Sequence, residues 1–346
     1  MTDTLVEESA GRLFADLVSP ALVNAAEAGT WPADLWRAVA AAGFPDALAA
    51  GAESPGDLSG MADAAAILRE AGRHAAPLPL AETMLARWLL AGAGIAAPDG
   101  PLTVAPVDHP SGFVLGWEGA IRRVSGRAAG VPWARLAQGI VVCIEDHVAL
   151  IAPGQAELRN GKSLAGEPRD DLSLDAVVET KRAPAGVDAV LAFRLGALTR
   201  SVMMAGALDQ VLALTVQYAN DRVQFGRPIG KFQAIQQQLS ILAENVAAAG
   251  VVAGAAVEAA VGKGDLGFAV AVAKSRIGEA AGKVAEIAHQ VHGAIGFTHE
   301  HRLHHLTRRL WSWRDEFGVE SEWSSELGRL VASRGGGGLW PLLTGW

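Results

Sequence analysis

The stretch that decides the fold is Arg222 to Gln238, which reads RVQFGRPIGKFQAIQQQ and lies between two long apolar segments. Apolar residues recur at three- and four-residue steps on both sides of it, as expected for two amphipathic helices. Within the stretch, Gly226, Pro228 and Gly230 break the helical pattern and turn the chain. The pattern therefore predicts a helix, a short polar loop and a second helix that begins near Phe232.

The loop between these two helices carries side chains suited to a phosphate-containing ligand. The planar guanidinium of Arg222 matches phosphate oxygens. Gln224 and Phe225 offer an amide and an aromatic ring to a ribose or a base. The alternative is a polar corner between two helices, in which Arg222 pairs with a carboxylate of the same protein. Spacing alone leaves both interpretations open.

The same residues resemble a known signature. The segment from Arg222 to Gln233 is similar to the R-x-Q-F-G-x-P-I-x-x-F-Q motif of the acyl-CoA dehydrogenase family. A second segment, Gln290 to Thr298, resembles that family's Q-x-x-G-G-x-G-[YF] motif, with Ala294 in place of the second glycine. Two motifs in the family's order and at its separation identify the chain as resembling that family.

Composition narrows the class of protein. Of the 346 residues, 50% are hydrophobic and 19% are charged, which predicts a folded chain of about two or three domains. The formal net charge of -8 argues against nucleic-acid binding. A single cysteine, Cys143, excludes an intrachain disulfide and fits a reducing compartment. The sequence shows neither a secretory signal nor a long uninterrupted apolar run. We therefore expect a cytoplasmic protein without nucleic-acid or membrane partners.

Periodicity divides the chain into three regions and a tail. Residues 1–98 have the pattern of amphipathic helices, residues 101–185 that of short strands, and residues 187–334 that of long helices joined by short loops. Residues 335–346 form a glycine-rich tail with two tryptophans, which either docks on a partner or frays. The prediction is a mainly α protein with a small β domain and a C-terminal antiparallel four-helix bundle, as the resemblance also implies.

The expected elements can be placed by residue. The N-terminal helices include 34–42, 61–72 and 81–91. The strands are 102–104, 113–115, 140–144 and 147–151, with a hairpin at Asp146. The C-terminal helices are 187–220, 232–262, 266–290, 300–314 and 320–333.

The resemblance implies that FAD is contacted by both motifs. In the family, the arginine at the position of Arg222 reaches the pyrophosphate of an FAD held mainly by a neighbouring subunit. The glutamine–phenylalanine pair at Gln224 and Phe225 reaches the adenosine end, although Phe225 and Phe232 also fit core positions. The second motif contributes to the same cofactor, because its glycines allow a close backbone approach. The expected FAD-contact residues are Arg222, Gln224, Phe225, Gln290, Gly293 and Gly296.

The carboxylate base that the family uses is missing from both of its usual positions. The family oxidises an acyl-CoA between Cα and Cβ, with a carboxylate that removes the Cα proton and a flavin that accepts the hydride. Here those two positions carry Thr199 and Phe317. Glu316 is the remaining candidate, but one residue on a helix changes the direction of a side chain by about 100°. The alternative for Glu316 and Asp315 is a pair of surface charges near a helix start.

Other departures from the family concern the flavin and an ion pair. The family's T-E-P-x-x-G-S-D loop, which holds the flavin ring and pyrophosphate, has no counterpart in the β region. Gly126 to Ala128 stands where the family has N-G-x-K. Arg309 replaces the acid of the family's R-D pair, so the ion pairing expected there must differ.

These features resemble the non-catalytic chains of heteromeric actinobacterial acyl-CoA dehydrogenases, in which two α and two β chains form a tetramer. The implied function is an FAD-dependent subunit that acts on a bulky acyl-CoA, such as a steroid-CoA. Its implied partners are a longer homologous chain and electron-transfer flavoprotein as the electron acceptor. Two alternatives stay open: a self-sufficient homotetramer that uses Glu316, and a flavin-free scaffold protein on the same fold.

A histidine cluster near the second motif raises a metal-site hypothesis. His301 and His305 are four residues apart on a predicted helix, a spacing found in metal sites. The sequence contains no H-E-x-x-H motif, and no carboxylate lies at the third-ligand spacing. A solvated or interface helix is therefore the favoured interpretation, and no metal is predicted at His299, His301, His304 and His305.

Overall fold

Five helices open the chain in the computed structural model, which describes residues 4–106, 112–118 and 121–344. They are α1 (Thr4–Leu17), α2 (Pro20–Glu27), α3 (Ala33–Ala41), α4 (Met61–Arg73) and α5 (Leu80–Ala93). Helix α2 begins sharply because Pro20 fits the first turn and the hydroxyl of Ser19 accepts the N–H of Leu22. The three helices predicted in this region are confirmed to within two residues.

The β region consists of two four-stranded sheets that pack around a common core. Its strands are β1 (Thr103–Val104), β2 (Phe113–Glu118), β3 (Ile121–Pro132), β4 (Ile140–Ile144), β5 (His147–Ile151), β6 (Glu157–Arg159), β7 (Arg169–Val177) and β8 (Glu179–Arg182). One sheet has the order β1-β4-β5-β8 and the other β2-β3-β7-β6. Val124, Val142 and Leu172 are buried between them.

The four predicted strands and the hairpin at Asp146 are confirmed, since Ile144 pairs with His147 across that turn. Strands β3, β6, β7 and β8 were not expected. Their sequences are rich in charged and small residues, which conceal the alternation of a half-buried strand.

The C-terminal region is the predicted bundle of long helices. Its helices are α6 (Ala189–Asp221), α7 (Gln233–Glu258), α8 (Leu266–His292), α9 (Leu303–Trp313) and α10 (Glu320–Arg334). A short helix, α11 (Leu339–Thr344), follows the glycines of the tail and leaves Trp340 72% exposed. Helix α9 begins three residues later than expected, so His301 lies in the turn before it.

Helices α4 and α6 join the first region to the bundle at backbone contact distance. A Cβ atom at Gly206 would lie 1.9 Å from the carbonyl oxygen of Arg69. A Cβ atom at Gly72 would lie 2.0 Å from the carbonyl oxygen of Met203. Only glycine permits this approach, so both residues fix how the two helices cross.

The loop predicted between α6 and α7 is a tight hairpin. Strand β9 (Val223–Gln224) pairs with β10 (Arg227–Pro228). Phe225 and Gly226, with φ of 51° and 79°, form the two-residue turn between them. Positive φ at both central residues is typical of a type I′ hairpin. The residues of the first motif, from Arg222 to Pro228, therefore lie on a β-hairpin rather than on an irregular loop.

Two helices are long and apolar enough to meet a length-and-composition criterion for a membrane span, contrary to the expectation from the sequence. In α6 the relevant window is 72% buried, so its apolar character is that of a core helix. In the second segment, Gln233–Gly262, only 28% of the window is buried. Length and composition alone are weak evidence for a membrane span, because core helices of globular proteins satisfy the same criterion.

Candidate functional site

The first motif presents its side chains to solvent at one end of the bundle. Arg222 caps α6, with its N–H donating to the carbonyl of Tyr218 at 2.9 Å. Its guanidinium is exposed and has no hydrogen-bond or ion-pair partner within residues 4–106, 112–118 and 121–344. The carboxylate partner required by the polar-corner interpretation is therefore not found among these residues. Gln224 is also exposed, and its amide donates to the carbonyl of Val223 at 2.8 Å.

The aromatic residues of this motif differ from the core positions considered for them. Phe225 is 93% exposed at the tip of the hairpin, so the core interpretation of that residue is wrong. Its ring meets that of Phe232 edge-on at 6.1 Å. The guanidinium of Arg227 lies over Phe232 at 4.3 Å from the ring centre, a cation–π arrangement. These contacts stiffen the hairpin while leaving Phe225 free to contact another molecule.

The second motif lies at the C-terminal end of α8. Gln290 is exposed on the last turn of this helix. Gly293 ends the helix with a φ of 63°, and no atom lies within 4 Å of the place a Cβ would occupy. Gly296 is buried instead, because a Cβ there would meet His292 and Leu303 at 3.1 Å. Gly293 is thus open to a ligand, whereas Gly296 serves internal packing.

The two motifs share one end of the bundle. Helices α6 and α8 both finish there. The ring of Tyr218, one turn before Arg222, stacks on that of His292 with centres 4.6 Å apart and planes at 22°. The fold therefore brings together segments about 70 residues apart in the sequence.

A second candidate site is a cleft of about 540 Å³ between the β region and the bundle. Its volume falls in the range of small-molecule sites. Strand β3 contributes Arg127 and Gly130, and α6 and α9 contribute Phe193 and Trp311. The turn between α9 and α10 closes it with residues 315–319. Both Glu316 and Phe317 lie on this turn.

Glu316 is a largely buried ion-pair partner, with a side chain 14% exposed, rather than a surface charge, so the surface interpretation is wrong for this residue. Its Oε1 accepts hydrogen bonds from Arg169 at 2.8 and 2.6 Å, and its Oε2 accepts one from Arg200 at 2.7 Å. Burial alone would raise the pKa of Glu316, but the two guanidinium groups hold it below its usual value. Asp315, in contrast, has a side chain that is 63% exposed.

A carboxylate held in this way is a poor proton acceptor. Both oxygens of Glu316 are engaged by cations that stabilise the ionised form. A general base works best with a pKa near the working pH.

The two positions that the family resemblance gives for the base carry packed, non-acidic side chains. Phe317 is 5% exposed, has a φ of 54°, and its ring would lie 2.2 Å from a Cβ placed on Gly196. The carbonyl of Phe317 accepts a hydrogen bond from the indole of Trp323 at 2.9 Å. The buried hydroxyl of Thr199 donates to the carbonyl of Gly196 at 2.8 Å. Phe317 therefore fills the space beside α6 and is fixed there.

Lys274 holds the backbone of the same turn. Its ammonium group, on a side chain buried within α8, donates to the carbonyls of Arg314 at 2.9 Å and Glu316 at 2.7 Å. Burial lowers the pKa of Lys274 to about 8, against the opposing charge of Glu316. The sequence carried a signal for this role, since a lysine interrupts the otherwise apolar face of α8 at Val270, Ala271, Ala273, Lys274 and Ile277.

The contacts of Glu316 belong to a larger set of buried charges, which we call the buried charge cluster: Glu27, Glu82, Glu167, Arg169, Arg200, Arg309 and Glu316. Arg200 also pairs with Glu82 of α5. Arg169 also pairs with Glu167 at 3.0 Å. The cluster thus joins the N-terminal helices, the β region and the bundle.

Arg309 is the centre of the other half of the buried charge cluster. Its side chain is fully buried, with nitrogens 3.1 Å from Glu167 and 2.9 Å from Glu27. Burial opposes ionisation of Glu27, but the hydrogen bond from His305 and the charge of Arg309 lower its pKa to about 2. Arg309 therefore pairs with two carboxylates, at a position where the family resemblance implied an acid.

The structure decides between the solvated and the interface interpretation for two of the four histidines. His304 and His305 are 8% and 2% exposed, so the solvated interpretation is wrong for both. His301 precedes α9, so it does not share a helix with His305. Among the residues that the structure describes, no group of three or more His, Cys, Asp or Glu side chains is arranged to hold a metal ion.

Comparisons with known proteins show which family this chain resembles in sequence. A family model described as "Acyl-CoA dehydrogenase, C-terminal domain" matches residues 187–314. The "Acyl-CoA dehydrogenase IpdE2" of Mycobacterium tuberculosis is 30% identical over 317 residues, which cover 88% of this chain and 89% of that protein. The "Acyl-CoA dehydrogenase FadE28" of the same organism is 26% identical over 302 residues, covering 80% and 84% of the two chains.

Solved structures share the fold across nearly the whole chain. A structure of the "Tcur3481-Tcur3483 steroid ACAD" has a TM-score of 0.85 and 25% identity, covering 95% of this chain and 97% of that one. The ChsE4-ChsE5 complex from Mycobacterium tuberculosis has a TM-score of 0.84 at 24% identity, covering 95% and 96%. With one relative 30% identical over most of both sequences, this chain belongs to the acyl-CoA dehydrogenase family of oxidoreductases.

Proposed function

We propose that this chain is the non-catalytic subunit of an FAD-dependent acyl-CoA dehydrogenase and lends contacts to an FAD held by a partner chain. The main observation in support is which side chain occupies the position that the family resemblance gives for the catalytic base. Phe317 occupies it with a packed ring. The neighbouring carboxylate, Glu316, is bound by Arg169 and Arg200. The position that the resemblance gives for the base therefore carries no carboxylate, and the adjacent one is held by ion pairs; Asp315 and Glu322 also line the cleft, but outside that position.

The residues at the bundle end fit a dinucleotide. The guanidinium of Arg222 is exposed and unpaired within the described part of the chain, so it can hold the pyrophosphate of FAD. Gln224, Phe225 and Gln290 are exposed toward solvent and can contact the adenosine end. Gly293 leaves its backbone open. FAD supplies the hydride acceptor of the reaction when bound, whereas these residues bind and orient it.

The cleft between the β region and the bundle of this chain fits FAD less well. The guanidinium of Arg169 donates hydrogen bonds to Glu316, to Glu167 and to the carbonyl of Pro168. One N–H of Arg169 stays without a partner in the described part of the chain, and Arg127 also lines the cleft with an exposed side chain. The weaker fit rests on the family's T-E-P-x-x-G-S-D loop, which has no counterpart in this sequence, and this supports a role in which the cofactor belongs to a second chain.

The partner in this proposal is a longer homologous chain, in an assembly of two α and two β chains. Its substrate is a bulky acyl-CoA, such as a steroid-CoA, and electron-transfer flavoprotein takes the electrons. The named steroid dehydrogenase and the two-protein ChsE4-ChsE5 complex, which share this fold, support this choice. We also propose that residues 1–98, 101–185 and 187–334 are separate domains with a tail at 335–346. Cys143, a buried thiol, is in keeping with a cytoplasmic location.

The test is to purify the chain alone and together with a longer homologous chain from the same genome. Light scattering gives the mass of each species, the flavin absorbance gives the FAD content, and an artificial electron acceptor reports acyl-CoA oxidation. We expect flavin and turnover only in the joint preparation. A stable flavin-free monomer that persists beside the partner would contradict the proposal. Turnover by the isolated chain that Glu316→Gln abolishes would establish the homotetramer. Joint assembly without flavin would establish the scaffold.

A further inference from the structure

The two FAD-contact segments are joined inside this chain by the stacked rings of Tyr218 and His292. Tyr218 lies one helical turn before Arg222, and its carbonyl accepts the N–H of Arg222 at 2.9 Å. His292 lies between Gln290 and Gly293 at the end of α8. The ring centres are 4.6 Å apart, within the range of a stabilising offset stack. This stack is thus one of the contacts that tie the direction of the first motif to that of the second.

The hydrogen bond of His292 fixes its tautomer. Its Nδ1 lies 2.7 Å from the carbonyl oxygen of Ala288, one turn earlier in α8. A carbonyl only accepts, so Nδ1 carries the hydrogen and Nε2 of the neutral ring carries a lone pair. This Nε2 is buried and has no hydrogen-bond partner in the described part of the chain, and the residue is 3% exposed. The ring therefore fits its place only without a charge.

Other titratable groups around His292 work against a second proton. The ring of His301, in the turn before α9, is centred 4.8 Å away, and His289 lies one turn earlier on α8. Arg302 stands beside His301, and α6 presents the phenol ring of Tyr218, which stacks on His292. Burial, and then the proximity of His301 and His289, lower the pKa of His292 to about 4, against the hydrogen bond to Ala288.

We propose that Tyr218 and His292 are positioning residues. Their stacked rings hold Arg222 and the Gln290–Gly293 turn in one fixed arrangement for the partner's FAD. This arrangement, which we call the frame, requires an uncharged imidazole. The inference rests on the proposed function. Neither side chain is assigned a contact with the cofactor. Each acts through the backbone segment next to it. Acid therefore opposes FAD binding through His292.

The expected pH dependence has a definite sign. A histidine released from the frame takes up a proton near its ordinary pKa of 6.5, whereas His292 in the frame resists one down to about 4. Opening the frame therefore binds a proton between these values, so lowering the pH favours opening. At pH 5.5, about one unit below the free value, opening of the frame should be about tenfold more favourable than at pH 7.5, so FAD affinity should fall by up to about tenfold.

The experiment measures the FAD dissociation constant of the co-purified complex at pH 7.5 and 5.5, from the fluorescence of released flavin. The variants are Tyr218→Ala, Tyr218→Phe, His292→Gln and Arg222→Ala. Tyr218→Ala should weaken FAD binding about two- to tenfold through loss of the stack, and Tyr218→Phe should match the wild type. His292→Gln keeps an N–H donor but cannot titrate, so its affinity should change little between the two pH values.

The outcomes separate the inference from the proposed function. If Arg222→Ala leaves FAD binding unchanged, the proposed FAD contact itself fails. If Arg222→Ala weakens binding but Tyr218→Ala behaves as Tyr218→Phe, only the positioning role fails. An equal pH dependence in His292→Gln and the wild type overturns the requirement for a neutral imidazole. That comparison stands even if Tyr218→Ala does not assemble.

Discussion

Replacing Glu316 by Gln should destabilise the chain far more than replacing the adjacent Asp315 by Asn. Glu316 accepts three hydrogen bonds from two buried arginines, whereas the side chain of Asp315 is 63% exposed and lies 3.6 Å from Arg314. The amide introduced by Glu316→Gln would retain one acceptor oxygen but remove the charge. Arg169 and Arg200 would then keep only their second carboxylates.

The size of the effect follows from this burial. Removing one partner of a buried ion pair costs about 3–5 kcal/mol, because the other charge is left uncompensated. We take about 3 kcal/mol, since Arg169 and Arg200 each retain one carboxylate. At about 2–4 °C per kcal/mol for a large domain, the melting temperature should fall by about 6–12 °C. An exposed pair is worth about 0–1 kcal/mol, so Asp315→Asn should shift it by only a few degrees.

Thermal unfolding of the two variants and the wild type, followed by circular dichroism in one buffer, measures this difference. Flavin content and acyl-CoA turnover are recorded on the same samples. A catalytic base is often strained, and removing it tends to leave stability unchanged or raised. An unchanged melting temperature in Glu316→Gln, with loss of turnover by the isolated chain, would refute the structural role assigned to Glu316.

Three further predictions concern other parts of the structure. Arg222→Ala should reduce FAD affinity about tenfold to hundredfold in the flavin-to-protein ratio after gel filtration, with Arg222→Lys recovering part of the loss. A lowered melting temperature with unaltered flavin would instead favour a purely structural arginine. Because the pKa of Glu27 is about 2 in the folded chain and 4.5 ordinarily, its stabilising contribution is present above its ordinary value and is lost as the pH falls toward 2. Glu27→Gln should flatten the decline in melting temperature between about pH 5 and 3, and an identical slope would count against its ion pairs. Lys274→Met would leave the carbonyls of Arg314 and Glu316 without their donor, at about 1–3 kcal/mol each, and should speed amide hydrogen exchange in the turn after α9. Unchanged exchange there would show that the turn is held by other contacts.

The helices and both motif segments could be predicted from the sequence because the residue patterns that specify them lie within each segment. Apolar residues of α6 to α8 recur with the helical period, and glycines and prolines mark the turns. Strands β3 and β7 could not be predicted in this way, because few of their described residues are large, apolar and buried: Val124, Val131, Leu172 and Leu174. Their pairing with each other, rather than their own pattern, makes them strands.

The environment of Glu316 could not be predicted for a different reason. Its arginine partners lie 147 and 116 residues away in the sequence, and nothing in the local pattern connects them. The sequence therefore favoured a surface charge at a place where the fold makes a buried one. Phe225 is the reverse case, since an aromatic residue beside a helix is usually packed, whereas the hairpin turn points this one outward.

The buried charge cluster has a consequence for how the sequence can vary. Arg309 stands between Glu27 and Glu167, which come from α2 and the β region. An acidic residue at position 309, as in the R-D pair that the family resemblance implies, would add a third carboxylate beside Glu27 and Glu167, with Arg308 and Arg169 as the cations left to pair with them. The glutamates at 27 and 167 thus favour the arginine, and the arginine in turn favours the glutamates. A chimaera of this chain and a relative with the acid should fold stably only when positions 27, 167 and 309 all come from the same parent.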